Sequence, residues 1–208
     1  MASISRACRI RNPALFICDI QEKFSPIIYE FPKIVTTTIK LLQASKPLNL
    51  PVYITTQNRT RLGPTVSSLQ SHIAGSNVRA DVDKTLFSMI TPEIDALLPR
   101  VGGAGEEGLD VVLVGIEAHI CVTQTTLDLL ERGHRVYLVV DGVSSVNAEE
   151  RGVALARLRD AGAIVTTSES ILFEILGDAG HAQFKAISGL VKETKKETKE
   201  ALEVLSKI

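Results

Sequence analysis

Apolar positions along the 208 residues fall into short unbroken runs, separated by stretches of helical spacing. The runs are "ALFICDI" (14–20), "PVYITT" (51–56), "DVVLVG" (110–115), "RVYLVVDG" (135–142) and "AIVTTS" (163–168). Each is rich in Val, Ile or Leu and closes on a polar or glycine-bearing turn. That is the pattern of strands covered on both faces. Between the runs, Ile34, Ile39, Leu41 and Leu42 share one helical face. Val122, Thr126, Leu129 and Leu130 share a second, and Val153, Ala156, Leu158 and Ala161 a third. Gly133 and Gly162 stand where helix C-caps are expected. The alternation predicts one α/β domain, a parallel sheet wrapped by helices through right-handed crossovers.

Two segments break the alternation. "VGGAGEEG" (101–108) reads as a flexible surface connection. The tail "KETKKETKE" from Lys192 looks like a solvated charge run. Yet Leu190, Val191, Thr194, Thr198, Ala201, Leu202, Leu205 and Ile208 fall on one stripe, which predicts a C-terminal amphipathic helix. It is either a partly frayed extension or an arm docking on a neighbouring subunit.

Composition narrows the classes. Hydrophobic content of 45% with 23% charged residues suits a globular chain. A net charge of −1 carries no footprint for nucleic acid or an anionic membrane. No apolar run approaches the ~20 residues of a spanning helix. The first eighteen residues lack acids and include Arg6, Arg9 and Arg11. No signal-peptide core follows them, and little chain precedes the first strand for a mitochondrial presequence, so a cytoplasmic location is expected. Three cysteines (Cys8, Cys18, Cys121) argue against a disulfide framework. They suit a reduced compartment, or one thiol with a chemical role.

Ligands of such sheets bind beyond the carboxyl ends of the strands, near a switch point. The residues there are Asp19, Thr56, Gln57, Gly115 to Cys121, and Asp141. No GxGxxG or P-loop follows a strand, so a nucleotide-phosphate site has no support. Cys121 falls where a buried strand hands over to a helix. Unpaired N–H groups and the helix dipole there favour a thiolate and can hold an oxyanion. Equally, cysteine is a common small buried hydrophobe. Asp19 closes an apolar run, and a carboxylate there needs either a partner or a function. An N-cap or a structural ion pair would serve as well. Lys84, in "DVDKTLFS" (81–88), is either a solvated surface group or a cation that stabilises such an acid and thiol.

The combination is more specific than its parts. "DIQEKF" (19–24), the lysine of "KTLFS" (84–88) and "GIEAHICVTQT" (115–125) resemble the isochorismatase-like cysteine hydrolases. That superfamily includes nicotinamidases, N-carbamoylsarcosine amidohydrolases and isochorismatases. "TTQNRTRLGPT" (55–65) and "KTLFSMITPE" (84–93) are most similar to the isochorismatase domain-containing branch. The resemblance covers about residues 12–178, leaving 179–208 as a C-terminal helical extension.

The resemblance implies a three-layer Rossmann-like fold with a six-stranded parallel sheet, and a catalytic triad of Asp19, Lys84 and Cys121. It implies a cis Ile116–Glu117 peptide and an oxyanion hole from the N–H groups of Glu117 and Cys121. Phe24, Gln57 and Phe87 would line the substrate pocket. Gln21 would either join them or be exposed. The implied activity is cofactor-free hydrolysis of a small amide-like C–N bond through a Cys acyl-enzyme. The alternatives are vinyl ether hydrolysis of isochorismate, and a scaffold or regulatory protein retaining the fold. A homo-oligomer acting on a small molecule is expected.

Nicotinamidases hold a metal through Asp-x-His after the second strand. "TTQNRTRLG" has neither residue, so no metal is expected. His72 and His181 fall in presumed surface segments, His134 in a turn, and His119 at the start of a helix. Cys8 and Cys18 are expected to have no role, with Cys18 pointing to the face of its strand opposite Asp19.

Overall fold

The computed structural model describes residues 9–102 and 107–207. Arg6, Cys8, Ile208 and part of the 101–108 connection lie outside the described residues. The apolar runs form β1 (Pro13–Cys18), β2 (Pro51–Gln57), β4 (Asp110–Gly115), β5 (Arg135–Val143) and β6 (Ile164–Thr166). A sixth strand, β3 (Asn77–Lys84), is one the hydrophobic pattern does not mark. All neighbours pair in parallel, in the order β3-β2-β1-β4-β5-β6. The winding reverses between β1 and β4, so the switch point lies beyond Cys18 and Gly115, which are register partners.

The helices are α1 (Phe31–Ser45), α2 (Arg59–Leu62), α3 (Ser67–Ile73), α4 (Pro92–Asp95), α5 (Thr123–Glu131), α6 (Ala148–Ala161), α7 (Ser168–Leu176), α8 (Phe184–Glu193) and α9 (Lys195–Leu205). Alternation along β1 divides the core into two. Leu15 and Ile17 join the apolar residues of α1, α3, α7, α8 and α9. Ala14, Phe16 and Cys18 join those of α4, α5 and α6, together with Cys121. The result is the three-layer sandwich of a Rossmann-like fold. Among the described residues, no helix is long and apolar enough to cross a membrane.

Gly162 caps α6 in the left-handed region (φ 116°), as its place after the periodic segment predicts. The inward face of α6 differs from the predicted one. Val153 is 68% exposed, while Ala154, Leu155 and Leu158 are buried. The helix is rotated so that the Arg151 stem and guanidinium lie inside. That guanidinium donates to the carbonyls of Val143 (2.9 Å), Lys207 (3.2 Å), Val140 and Leu205. Burial pushes its pKa down to about 10, and it still holds the end of α9 against β5.

The C-terminal stripe is not one helix but two, α8 and α9, joined at Thr194. Thr198, Ala201 and Leu205 are buried against the chain's own body. Lys40 of α1, itself buried, donates to Thr198 Oγ1 and to Ser168 Oγ, each at 3.0 Å. Burial pushes the Lys40 pKa down, while Asp141 and Glu169 oppose the shift. Thr198→Val is expected to leave that ammonium short of an acceptor. The loss is about 1–3 kcal/mol, read as a lower urea midpoint with unchanged circular dichroism.

His134 is buried, and its Nδ1 accepts the Leu109 N–H at 3.0 Å, which requires the neutral ring. Burial, reinforced by Arg132 and opposed by Asp95, pushes its pKa below the ordinary 6.5. The folded state therefore binds fewer protons than the unfolded state once the pH drops below 6.5. This stability is present above that pH and is lost as pH falls toward the depressed folded value. His134→Asn, which retains an acceptor but does not titrate, is expected to flatten the urea midpoint between neutral and mildly acidic pH.

Candidate functional site

β1 stops at Cys18 because Asp19 turns into the left-handed region (φ 54°). Its N–H still donates to Thr55 O of β2 (3.1 Å), so the carboxylate is pinned at the sheet end. Oδ1 accepts the Thr55 hydroxyl at 2.7 Å. Oδ2 accepts Lys84 Nζ at 2.7 Å and the Cys18 thiol at 3.6 Å. Lys84 closes β3, two strands from β1, and its stem crosses β2 to reach Asp19. Its ammonium also donates to Gln57 Oε1 (2.8 Å), Leu86 O (3.1 Å) and Phe87 O (3.0 Å).

Both charged side chains are 1% exposed. Such a pair persists only where further hydrogen bonds satisfy the remaining lone pairs and protons, and here Thr55, Gln57 and two carbonyls do so. Burial pushes the Lys84 pKa down. Cys18, Asp19 and Cys121 attract the ammonium more strongly and the Asp19 hydrogen bond adds to them, so the net shift is upward.

Cys121 follows the adjoining strand end, that of β4. At Gly115 (φ 123°) a Cβ would stand 2.0 Å from Cys18 O, so only glycine lets the two strands close. Ile116 N–H donates to Cys18 O at 2.9 Å, and the Ile116–Glu117 peptide bond is cis. A wide turn, Ala118–Val122, follows, with the Val122 N–H reaching back five residues to Glu117 O (3.1 Å). α5 continues from it. Such wide turns recur at functional sites.

The Cys121 side chain is buried in the same apolar cluster as Cys18, and the two thiols influence each other electrostatically. Burial first, then Cys121 and Asp19, push the Cys18 thiol well above its ordinary range against the pull of Lys84. Thr125 ties the turn to the strand-β3 side, donating to Cys121 O (2.7 Å) and accepting from Met89 N (2.9 Å). On the other side the Glu117 carboxylate accepts Val146 N–H (3.0 Å), and Ala118 N–H donates to Ser144 O (2.8 Å).

Asp19, Lys84 and Cys18 thus form one buried, hydrogen-bonded cluster, and Cys121 is buried in the apolar cluster to which Cys18 belongs. The expectation that Cys18 faces away is corrected. Alternation needs extended backbone at both neighbours, and the positive φ of Asp19 swings its carboxylate back to the Cys18 side. Gln21 is fully buried and is a clamp. Its Nε2 donates to Gln57 O (3.1 Å) and Gly63 O (2.7 Å), and its Oε1 accepts Gln57 N–H (2.7 Å).

The Gln57 amide is engaged with Lys84 and with Thr85 O (2.9 Å). Phe24 packs, half-buried, against the α1-side core. Phe87 is 50% exposed, while its carbonyl serves Lys84. Asp141, another strand-end acid, instead accepts the Ser168 N–H (2.8 Å). His119 Nδ1 stands 3.0 Å from Ser145 Oγ. Among the described residues, no group of His, Cys, Asp and Glu is arranged to hold a metal ion.

Thr55 and Cys18 were not anticipated as site residues. The signal for Thr55 was present: a hydroxyl that follows the apolar run of a buried strand, in register with the residue before Asp19.

Comparison with known proteins shows the family. The isochorismatase domain model matches residues 13–170. Isochorismatase domain-containing protein 2 of Xenopus laevis is 41% identical over 195 residues, covering 93% of this chain and 91% of that protein. The secreted isochorismatase effector Isc1 of Phytophthora sojae is 41% identical over 182 residues, 88% of this chain and 85% of that one. The solved structure of the MAR1 ribonuclease from Caenorhabditis elegans superposes with a TM-score of 0.81 at 42% identity, covering 89% of this chain and 93% of that one.

Proposed function

Because the chain belongs to the isochorismatase family, we propose that it is a hydrolase in which the Cys121 thiolate cleaves a small amide-like C–N bond. The observation that carries this reading is the buried Lys84–Asp19 pair, 2.7 Å apart, with the Cys18 thiol against the same carboxylate and Cys121 in the apolar cluster of Cys18.

In this reading Asp19 takes the Cys121 proton, and the sulfur adds to the substrate carbonyl. The N–H groups of Glu117 and Cys121 hold the resulting oxyanion. Neighbouring amides have other tasks, since Ala118 donates to Ser144 O, and Ile120 and Val122 donate to Glu117 O. The C–N bond breaks as Asp19 returns its proton to the leaving amine. Water then attacks the thioester, losing a proton to Asp19, and the acid departs with the thiolate restored. Lys84 positions Asp19 and balances its charge, and Gln57 positions Lys84. Phe24 and Phe87 contribute apolar surface to the substrate.

A second reading, vinyl ether hydrolysis, is favoured by the isochorismatase name of the Phytophthora relative at 41% identity. That reaction needs an acid to protonate the enol carbon and has no use for a nucleophilic sulfur. The ribonuclease name of the nematode relative is given less weight, because a net charge of −1 supplies no overall attraction for RNA phosphates. The deciding experiment is a panel of small amides, ureides, isochorismate and a short RNA, each with and without prior thiol alkylation. Amine release abolished by alkylation is expected. Turnover of isochorismate that survives alkylation would replace this reading with the second.

A further inference from the structure

The proposed hydrolysis uses one of two thiols at this sheet end, and the other is not idle in its placement. Cys18 is fully buried, feels Cys121 electrostatically, and stands 3.6 Å from the carboxylate that also serves Lys84. Both sulfurs sit in the same apolar cluster, and both are free thiols. Cys121, at 6%, is the more open of the two, so a reagent reaches the pair through it and not through Cys18 at 0%.

We propose that Cys121 and Cys18 form a peroxide-oxidisable pair, in which Cys121 takes the oxygen and Cys18 resolves it as an intramolecular disulfide. The inference rests on the reading of Cys121 as a thiolate. In the first step the thiolate attacks one oxygen of a hydroperoxide. The O–O bond breaks, the sulfur is oxidised to a sulfenic acid, and the hydroperoxide is reduced to an alcohol or water. In the second step the Cys18 sulfur attacks the Cys121 sulfur. The S–O bond breaks, and hydroxide leaves as water with the Cys18 proton, relayed by Asp19 Oδ2, which already accepts that S–H. Two thiols and one hydroperoxide thus give one disulfide, with water and an alcohol or a second water.

Burial keeps the Cys18 thiol protonated and inert toward solvent oxidants until a sulfenic acid forms beside it. The disulfide would silence the nucleophile reversibly, where an unresolved sulfenic acid proceeds to the irreversible sulfinic form.

The test uses the full chain carrying Cys8→Ser, so that two cysteines remain, treated with hydrogen peroxide and weighed intact without reductant. The expected product is lighter by two hydrogen atoms, refuses iodoacetamide at both positions, and regains labelling with dithiothreitol. Adding Cys18→Ala is expected to give Cys121 carrying one or more oxygens, trapped by dimedone as the sulfenic acid, with labelling no longer fully restored. A Cys8→Ser protein that gains oxygen without losing hydrogen overturns the proposal, and this arm needs no substitution at the site. So does a dimedone adduct equally abundant with and without Cys18. No substrate enters the experiment, so a missing disulfide in an active amidase fails this inference alone. A disulfide in a protein inactive on amides fails the proposed function alone.

Discussion

Cys121→Ala is expected to lower amide turnover by about 10⁴-fold or more, since removing a nucleophile removes the covalent route itself. The fold should survive. The side chain is small, and its main chain is held independently by Thr125 through the Cys121 carbonyl and by the bond from Val122 to Glu117. Trimming one buried sulfur should cost about 1 kcal/mol, read as a modest shift of the urea midpoint with unchanged circular dichroism. Initial rates on the best amide of the panel measure the main effect. A vinyl ether hydrolase would keep most of its rate, because its chemistry asks for the carboxyl group of Asp19 and not for sulfur.

The second large effect is on stability. Lys84→Met is expected to destabilise the fold by about 3–5 kcal/mol, because it leaves the Asp19 carboxylate buried without its counter-charge. The Thr55 hydroxyl and the Cys18 thiol remain as donors, but neither carries charge. Gln57 Oε1 and the carbonyls of Leu86 and Phe87 lose their donor in the same change.

The sign of the pH dependence follows from the raised Lys84 pKa. The folded state holds the proton more tightly than the unfolded chain, whose lysine titrates near 10.5. Its contribution is complete below that pH and fades as pH rises through the folded value. The gap between wild type and variant should therefore be flat through neutrality and narrow only in strong alkali. Combining Asp19→Asn with Lys84→Met should cost clearly less than the sum of the single changes, because the double variant buries no lone charge. Urea titrations of the four proteins measure all of this.

How much of this was legible depended on how each residue is surrounded. Four apolar runs, those of β1, β2, β4 and β5, announced themselves because they are central strands with both faces covered, and the short edge strand β6 because its run is apolar. β3, the other edge strand, did not, because its open face is charged. Arg79, Asp81 and Asp83 face water between Val78, Ala80 and Val82, and this polar alternation reads as loop. The strand-end acid, the lysine and the cysteine could be selected by position and resemblance, since ligands gather at the carboxyl ends of parallel strands.

The placement of Cys18 could not. Period-two reasoning carried one residue too far, past the point where Asp19 leaves the extended region. The rotation of α6 was hidden for a related reason. A buried Arg151 contradicts the ordinary sorting of charge outward, and its four carbonyl partners come from segments that no local pattern connects. The split at Thr194 left no mark, because both halves continue the same apolar stripe.

The measurement that bears most directly on the hydrolase reading is the mass of the protein during turnover. Amide hydrolysis would be quenched in acid at early times, and the peptide bearing Cys121 examined for an acyl group. The expected result is one acyl group on that sulfur, appearing before steady state and absent from Cys121→Ala. Release of amine with the protein mass unchanged throughout, at a rate Cys121→Ala matches, would contradict it.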